Sequence, residues 1–378
     1  MSSIIQMNCY LESEYFSSLL LETPPLYPYQ ELSEILTAPL NRIWNIFTNH
    51  CDSSSTKIAE DLRIQQKLKR QMQHGLNQME KEPFKPFEYR PAIQGWVGQQ
   101  ECIGSYQVGI AQNIGGRKEM QDEHLAISST VSIGGQVYPF QLFAIFDGHG
   151  GKVAACFVRD HLVQTLKVAL MEFNDGYLSD TGIWKALKIT PVRLSQSFKE
   201  YCIFHNNEEL ANKCGTTLTA SLILDQKLWS FNVGDSRIVL DNNGIFIQLT
   251  EDAKPGDIRY KKSIEKRGGI VQTNGRTPRA CGISLARSIG DHVSKGVISS
   301  RSKITVKPLS EIQPDSHLML CCDGVWDVAR SKDIAMTVYT YKDPLLALSD
   351  LARNIIYSAY KSGSGDNLSC MVIKLDRP

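Results

Sequence analysis

Asp147, Asp323, Asp366, Asp235 and Asp122 are the residues of this chain best placed for chemistry, because each stands where a strand-like run meets a turn. The run Leu142-Phe143-Ala144-Ile145-Phe146 leads straight into Asp147-Gly148-His149-Gly150-Gly151. Leu318 to Cys322 leads into Asp323-Gly324-Val325-Trp326-Asp327, and Gly365-Asp366-Asn367 precedes the apolar run Leu368 to Leu375. Such runs read as buried strands, and the glycines that follow give the backbone room to turn. A carboxylate at the rim of a rigid sheet, beside the Gly148 carbonyl and the His149 imidazole, suits a hard cation and a proton donor. A lone Asp-Gly is ordinarily only a turn. Recurrence at several strand ends is what argues for a site, since strands of one core can bring their ends together.

Clustered carboxylates repel one another unless cations sit among them. Carboxylates and a carbonyl suit Mg²⁺ or Mn²⁺ rather than zinc, and no Cys or His spacing supports zinc. Two such ions about 3.5–4 Å apart can share a bridging water, lower its pKa and clamp an in-line displacement at phosphorus. Arg117 adds a planar donor fork for phosphate oxygens. The His149 imidazole can protonate a leaving alkoxide.

The elements around these residues divide the chain. Residues 1–100 are expected to form a helical N-terminal extension. Stripes run through Glu31–Thr48 and Lys57–Glu82, and a linker with three prolines spans Lys81–Pro91. Packing on the main domain, binding a partner, and regulating or addressing the protein are all open readings of these helices. Residues 101–378 should be the catalytic domain. Strands are expected at 106–111, 125–127, 137–146, 215–224, 228–233, 238–240, 245–249 and 368–375. Helices are expected at 150–173, 192–213, 257–267, 331–341 and 344–360, with a loop or insertion at 174–191. A polar, Arg-rich surface flap should span about 270–302. Strands occur in consecutive sets rather than in strict alternation with helices, which predicts an α+β domain with an antiparallel sheet core.

Composition narrows the function. The chain has 378 residues, a net charge of +1 and no basic block, so nucleic-acid binding has no electrostatic support. No apolar run approaches the ~20 residues of a membrane span, and the N-terminus has neither a secretory pattern nor a myristoylation glycine. The ten cysteines are scattered and often lie in apolar runs, which suits reduced thiols in a cytoplasmic protein.

The motifs together resemble a known family. Arg117-Lys118-Glu119-Met120-Gln121-Asp122, Asp147-Gly148-His149-Gly150-Gly151, Gly215-Thr216-Thr217, Gly234-Asp235-Ser236-Arg237, Ser288-Ile289-Gly290-Asp291, Asp323-Gly324-Val325-Trp326-Asp327 and Gly365-Asp366-Asn367 are similar, in order and separation, to those of the metal-dependent type 2C Ser/Thr protein phosphatases. The resemblance covers roughly residues 105–377. It implies a four-layer α-β-β-α sandwich and direct hydrolysis of phosphorylated protein substrates by water, without a phosphoenzyme. It implies two Mn²⁺ or Mg²⁺ ions, with Asp147 bridging them, Asp323 and Asp366 on one and the Gly148 carbonyl on the other. Asp235, with Asp323, would hold a weaker third. Asp122 would orient water, Arg117 bind phosphate and His149 act as general acid. The segment between Asp252 and Asp291 matches the family's flap. Asp291 is expected to hold that flap. Asp327 is expected either to tune water or to cap the next helix. Two departures stand out. Gln121 replaces a frequent Glu and removes a negative charge near the second ion, and Asp252-Ala253-Lys254-Pro255 lacks a frequent His.

Overall fold

The computed structural model describes Trp96 and residues 98–375, except 274, 276, 295 and 341–346. The expected N-terminal helices, the Pro-containing linker and the expected helix start at Pro344 lie outside the described residues.

The described strands are β1 (Gly98–Ile103), β2 (Tyr106–Asn113), β3 (Glu123–Ile133), β4 (Gln136–Phe146), β5 (Gly148–His149), β6 (Gly215–Thr216), β7 (Leu218–Leu224) and β8 (Lys227–Val233). They continue with β9 (Arg237–Asn242), β10 (Ile245–Gln248), β11 (Val271–Gln272), β12 (Arg279–Ala280), β13 (Ile289–Gly290), β14 (Lys303–Pro308), β15 (Ser316–Cys321) and β16 (Leu368–Leu375). The α-helices are α1 (Val153–Phe173), α2 (Asp180–Phe204), α3 (Glu208–Lys213), α4 (Ile258–Lys266), α5 (Asp323–Trp326), α6 (Ser331–Thr340) and α7 (Leu348–Lys361). Two large sheets carry the domain, ordered β1-β2-β16-β15-β9-β10 and β14-β8-β7-β4-β3. A three-stranded sheet, β13-β6-β5, and the pair β11-β12 complete the set. Neighbouring strands pair antiparallel, as expected.

The second half of β4, Leu142–Phe146, is continuously apolar rather than alternating, and its two faces show why. Successive side chains of a strand point to opposite faces. Phe140, Leu142, Ala144 and Phe146 pack with Val158, Leu162 and Leu166 of α1 and with Leu187 and Phe198 of α2. Phe143 and Ile145 join Leu318 and Leu320 of β15, Ile373 of β16 and Ile355 of α7 in a second core. Both faces of Leu142–Phe146 are buried, so neither is polar there. No described helix is long and apolar enough to cross a membrane.

Three expectations are corrected. Asn174–Pro191, expected as a loop, lies mostly within α2, which runs through Pro191. A proline inside a helix frees the carbonyl four residues back, and here the Leu187 carbonyl accepts from Ser302 Oγ at 2.9 Å. Ser179 caps the helix start, its Oγ accepting from Gly182 N at 3.1 Å. The expected helix over 192–213 is broken after Phe204, where Asn206 takes φ 54° and Asn207 caps α3. The flap is also more than a polar surface segment. It contains short strands and a small core of its own, including Ala253, Tyr260, Ile264, Ala280, Ala286 and Ile298.

Candidate active site

Strand register delivers the acids to one end of both large sheets. Glu123 pairs with Phe146, so Asp122 and Asp147 flank the same end of β3 and β4. In the other sheet Leu368 pairs with Asn113, and Cys321 pairs with both Cys370 and Arg237. Asp366, Asp323, Asp235 and the loop bearing Arg117 therefore emerge together. The Asp147 backbone is tied to Thr217 by Thr217 N–Asp147 O at 2.9 Å and Asp147 N–Thr217 Oγ1 at 3.0 Å. Carboxylate oxygens of Asp147, Asp235 and Asp323 lie within 4.8 Å of one another.

The cost of this clustering appears as protons held too tightly. Burial and then Asp323, Asp122 and Asp235 raise the Asp147 pKa well above the usual carboxylate range. Burial and Asp323 also raise Asp235. Burial and then the Asp327 and Asp366 charges push Asp323 up to about 6. Asp122 reaches about 7 through burial, although Ser369 Oγ donates to its Oδ2 at 2.7 Å. Asp235 Oδ1 is buried without a hydrogen-bond partner. Hard oxygens with an orphaned acceptor and mutual repulsion are relieved by a divalent cation, so the residues fit Mg²⁺ or Mn²⁺.

Asp366 stands outside that triple. Its Oδ2 accepts from Arg117 Nη2 at 2.5 Å, and its Oδ1 accepts from Asn367 N at 2.8 Å. Arg117 is exposed, and its fork is held by this acid. The Gly148 carbonyl faces Gln121. In the amide orientation that satisfies both neighbours, Gln121 Nε2 donates to Gly148 O at 3.2 Å and Oε1 accepts from Gly151 N at 3.3 Å. The opposite orientation offers Nε2 to Glu119 Oε2 at 3.4 Å. We adopt the first because it pairs two backbone groups rather than one exposed carboxylate.

His149 Nε2 lies 2.9 and 2.8 Å from the two oxygens of Asp291, and Ser288 Oγ donates to Asp291 Oδ2 at 2.5 Å. Gly215 makes room for this contact. A Cβ there would come within 2.3 Å of Asp291 Oδ2 and 2.6 Å of His149 Nε2.

Sequence reasoning missed two participants. Lys254 Nζ lies 2.7 Å from Asp327 Oδ1 and 3.6 Å from Asp235 Oδ2, so it is a counter-charge inside the acidic cluster. Burial works against its ammonium, but Asp235 and Asp327 outweigh burial and raise its pKa. The available signal was the lysine itself, in the stretch Asp252-Ala253-Lys254-Pro255. Asn367 accepts from Gln121 N at 2.9 Å and donates to Ile114 O at 2.9 Å and Glu119 O at 3.0 Å. It thereby pins the loop carrying Arg117 and Asp122. Its place beside Asp366 in the motif was the available clue.

Comparisons with known proteins bear on the family and the fold. The family model described as Protein phosphatase 2C matches residues 106–368. The chain is 30% identical over 282 residues to "Probable protein phosphatase 2C 76" of Arabidopsis thaliana, covering 74% of this chain and 61% of that protein. It is 29% identical over 280 residues to "Protein phosphatase 1L" of Bos taurus, covering 71% and 72%. Among solved structures, the Toxoplasma gondii serine-threonine phosphatase 2C superposes with a TM-score of 0.58 at 17% identity, covering 75% of this chain and 99% of that one.

Proposed function

Because the chain belongs to the protein phosphatase 2C family, we propose that it hydrolyses phosphoserine and phosphothreonine in proteins and depends on divalent metal to do so. The observation that carries this reading is the convergence of Asp147, Asp235 and Asp323 within 4.8 Å. We assign residues 101–378, together with Gly98–Gln100 at the start of β1, to the catalytic domain, arranged as a four-layer α-β-β-α sandwich, and the residues before them to a helical extension. Eight free cysteines among the described residues suit a reducing cytoplasm.

Asp147, the Gly148 carbonyl, Asp323 and Asp366 would hold two Mg²⁺ or Mn²⁺ ions, and Asp235 with Asp323 a weaker third. When bound, these ions neutralise phosphoryl charge and acidify the attacking water. Arg117 grips the phosphoryl oxygens, with Asp366 aiming its guanidinium. Asp122, fixed by Ser369, accepts a hydrogen bond from the attacking water and orients it. As the water oxygen bonds to phosphorus, the bond from phosphorus to the side-chain oxygen breaks. His149 gives its proton to the departing serine or threonine oxygen. The products are inorganic phosphate and the free hydroxyl.

The deciding experiment follows phosphopeptide hydrolysis by the full chain against Mn²⁺ and Mg²⁺ concentration. Turnover should require metal and disappear in Asp147→Asn and Asp323→Asn. Turnover that persists in chelator or in both variants sinks the proposal. A second reading, a binding module with negligible activity, draws on the Gln121 amide at the Gly148 carbonyl; robust turnover at millimolar Mn²⁺ rules it out.

A further inference from the structure

A cluster of cations lies beside the flap. Lys188 on α2 donates through Nζ to the Ser302 carbonyl, and Arg287 donates through Nη1 to the Arg301 carbonyl. Ser302 Oγ closes onto the Leu187 carbonyl, so residues 301–302 run between Lys188 and Arg287. Arg301 and Lys303 flank Ser302 and are exposed. Arg267 joins the group, donating to Val297 O at 2.7 Å. None of these five side chains forms an ion pair with a carboxylate among the described residues. The acid that bears on Arg287, Glu251, is already engaged by Arg259 at 2.8 Å.

Lysines on an edge strand discourage strand pairing, which accounts for Lys303 on β14, the edge of its sheet. It does not account for Lys188 and Arg287, which are half-buried. Burial lowers the pKa of both; the Arg287, Lys303 and Arg301 charges lower Lys188 further, and Arg301 lowers Arg287, where Tyr260 and Glu251 act the other way. Keeping like charges together out of water is unfavourable unless something anionic offsets it. Aromatic faces complete the patch. Lys188 Nζ lies 5.2 Å from the Trp184 ring centre, and the Arg287 guanidinium lies 5.4 Å from that of Tyr260.

The patch adjoins the candidate site. Arg287 is four residues from Asp291, whose carboxylate meets His149 at 2.8 Å, and four residues span at most about 14 Å. Helix α2 is anchored to the same turn by Ser195, whose Oγ accepts from Gly290 N at 3.2 Å and whose carbonyl meets His292 Nε2 at 2.9 Å.

We propose that Lys188, Arg287, Arg301 and Lys303 form an oxyanion-binding patch for the substrate polypeptide. It takes a carboxylate or second phosphoryl group carried a few residues from the phosphoresidue presented to Asp147 and His149. Clustered Arg and Lys recognise such groups through charge-assisted hydrogen bonds. The inference rests on the phosphatase reading and narrows its substrates to acidic or multiply phosphorylated segments.

The test uses the full chain and labelled phosphothreonine peptides that differ only three to five residues away, with Glu pairs, Gln pairs or a second phosphoserine. Anisotropy in chelator reports binding without turnover, and steady-state rates with Mn²⁺ report KM and kcat. The Glu peptide should bind about tenfold tighter than the Gln peptide, a gap that salt reduces. The gap should fall to about twofold in Lys188→Met and in the exposed pair Arg301→Gln/Lys303→Gln, with the change in KM rather than kcat. Preference for the second phosphoserine over Glu identifies phosphate as the favoured source, and the reverse identifies carboxylate. Equal binding of all three peptides, or a gap that survives both variants, overturns the proposal. Selective binding without turnover of any peptide retains the patch and overturns the phosphatase reading instead.

Discussion

His149 presents Nε2 to both carboxylate oxygens of Asp291, at 2.9 and 2.8 Å, so the ring nitrogen held by the flap side is fixed and Nδ1 is the one left over. An acid that hydrogen-bonds one ring nitrogen sets which nitrogen faces the reaction. Replacing Asp291 with Asn should free the ring to turn. We expect kcat on a phosphoserine peptide, whose leaving oxygen needs a proton, to fall about 10–100-fold. An aryl phosphate with a stable leaving anion should lose far less. Equal losses on the two substrates would mean that Asp291 acts only as a structural tie.

Asp147→Asn should abolish divalent binding and yet stabilise the metal-free protein at neutral pH. Carboxylates whose pKa rises on folding add stability below their unfolded value near 3.8 and lose it as pH climbs through the folded value. That value is about 6 for Asp323 and about 7 for Asp122. Removing one charge from the cluster relieves that loss. Urea melts in chelator should place the variant about 0.5–2 kcal/mol above the parent at pH 7, with the gap closing near pH 4. A gap that stays constant across that range contradicts the electrostatic origin.

Gln121→Glu should strengthen ion binding. The change adds a carboxylate and removes the amide N–H that donates to Gly148 O. Calorimetric titration with Mn²⁺ should show the weaker binding step tighten by about three- to tenfold, worth roughly 0.7–1.4 kcal/mol. An unchanged isotherm would show that the amide does not compete for that carbonyl.

Ser302→Ala should weaken the fold through a helix far away in sequence. It removes the donor that serves the Leu187 carbonyl freed by Pro191. A buried acceptor left without a partner costs about 1–3 kcal/mol. The urea midpoint should fall with an unchanged slope. A double variant, Ser302→Ala/Pro191→Ala, should recover part of the loss, because alanine restores the N–H that the carbonyl lacks.

The acidic residues were legible because strand-to-turn junctions have a local signature: an apolar run, one acid and glycine. The same locality explains the errors. Pro191 reads as a helix breaker, and only Ser302, more than a hundred residues on, rescues it. Lys254 looks like one more lysine in a polar stretch until the fold brings Asp235 and Asp327 to it. Asp291 announced itself by motif, but its contact with His149 depends on the space left by Gly215, and no spacing rule encodes that.

Strand β16 lies between β2 and β15 at the middle of the six-stranded sheet, pairing Cys370 with Ala111 on one side and with Cys321 on the other. In order of synthesis it arrives more than 250 residues after β2. A nascent chain that has not yet produced β16 can pair β15 with β9 but leaves β2 without its neighbour. It also lacks Asp366, Asn367 and Ser369, which hold Arg117, the following loop and Asp122. Closing so long a loop is slow and entropically costly. The acids and Arg117 of the candidate site therefore gain these partners only once β16, the last of the described strands, has joined the sheet.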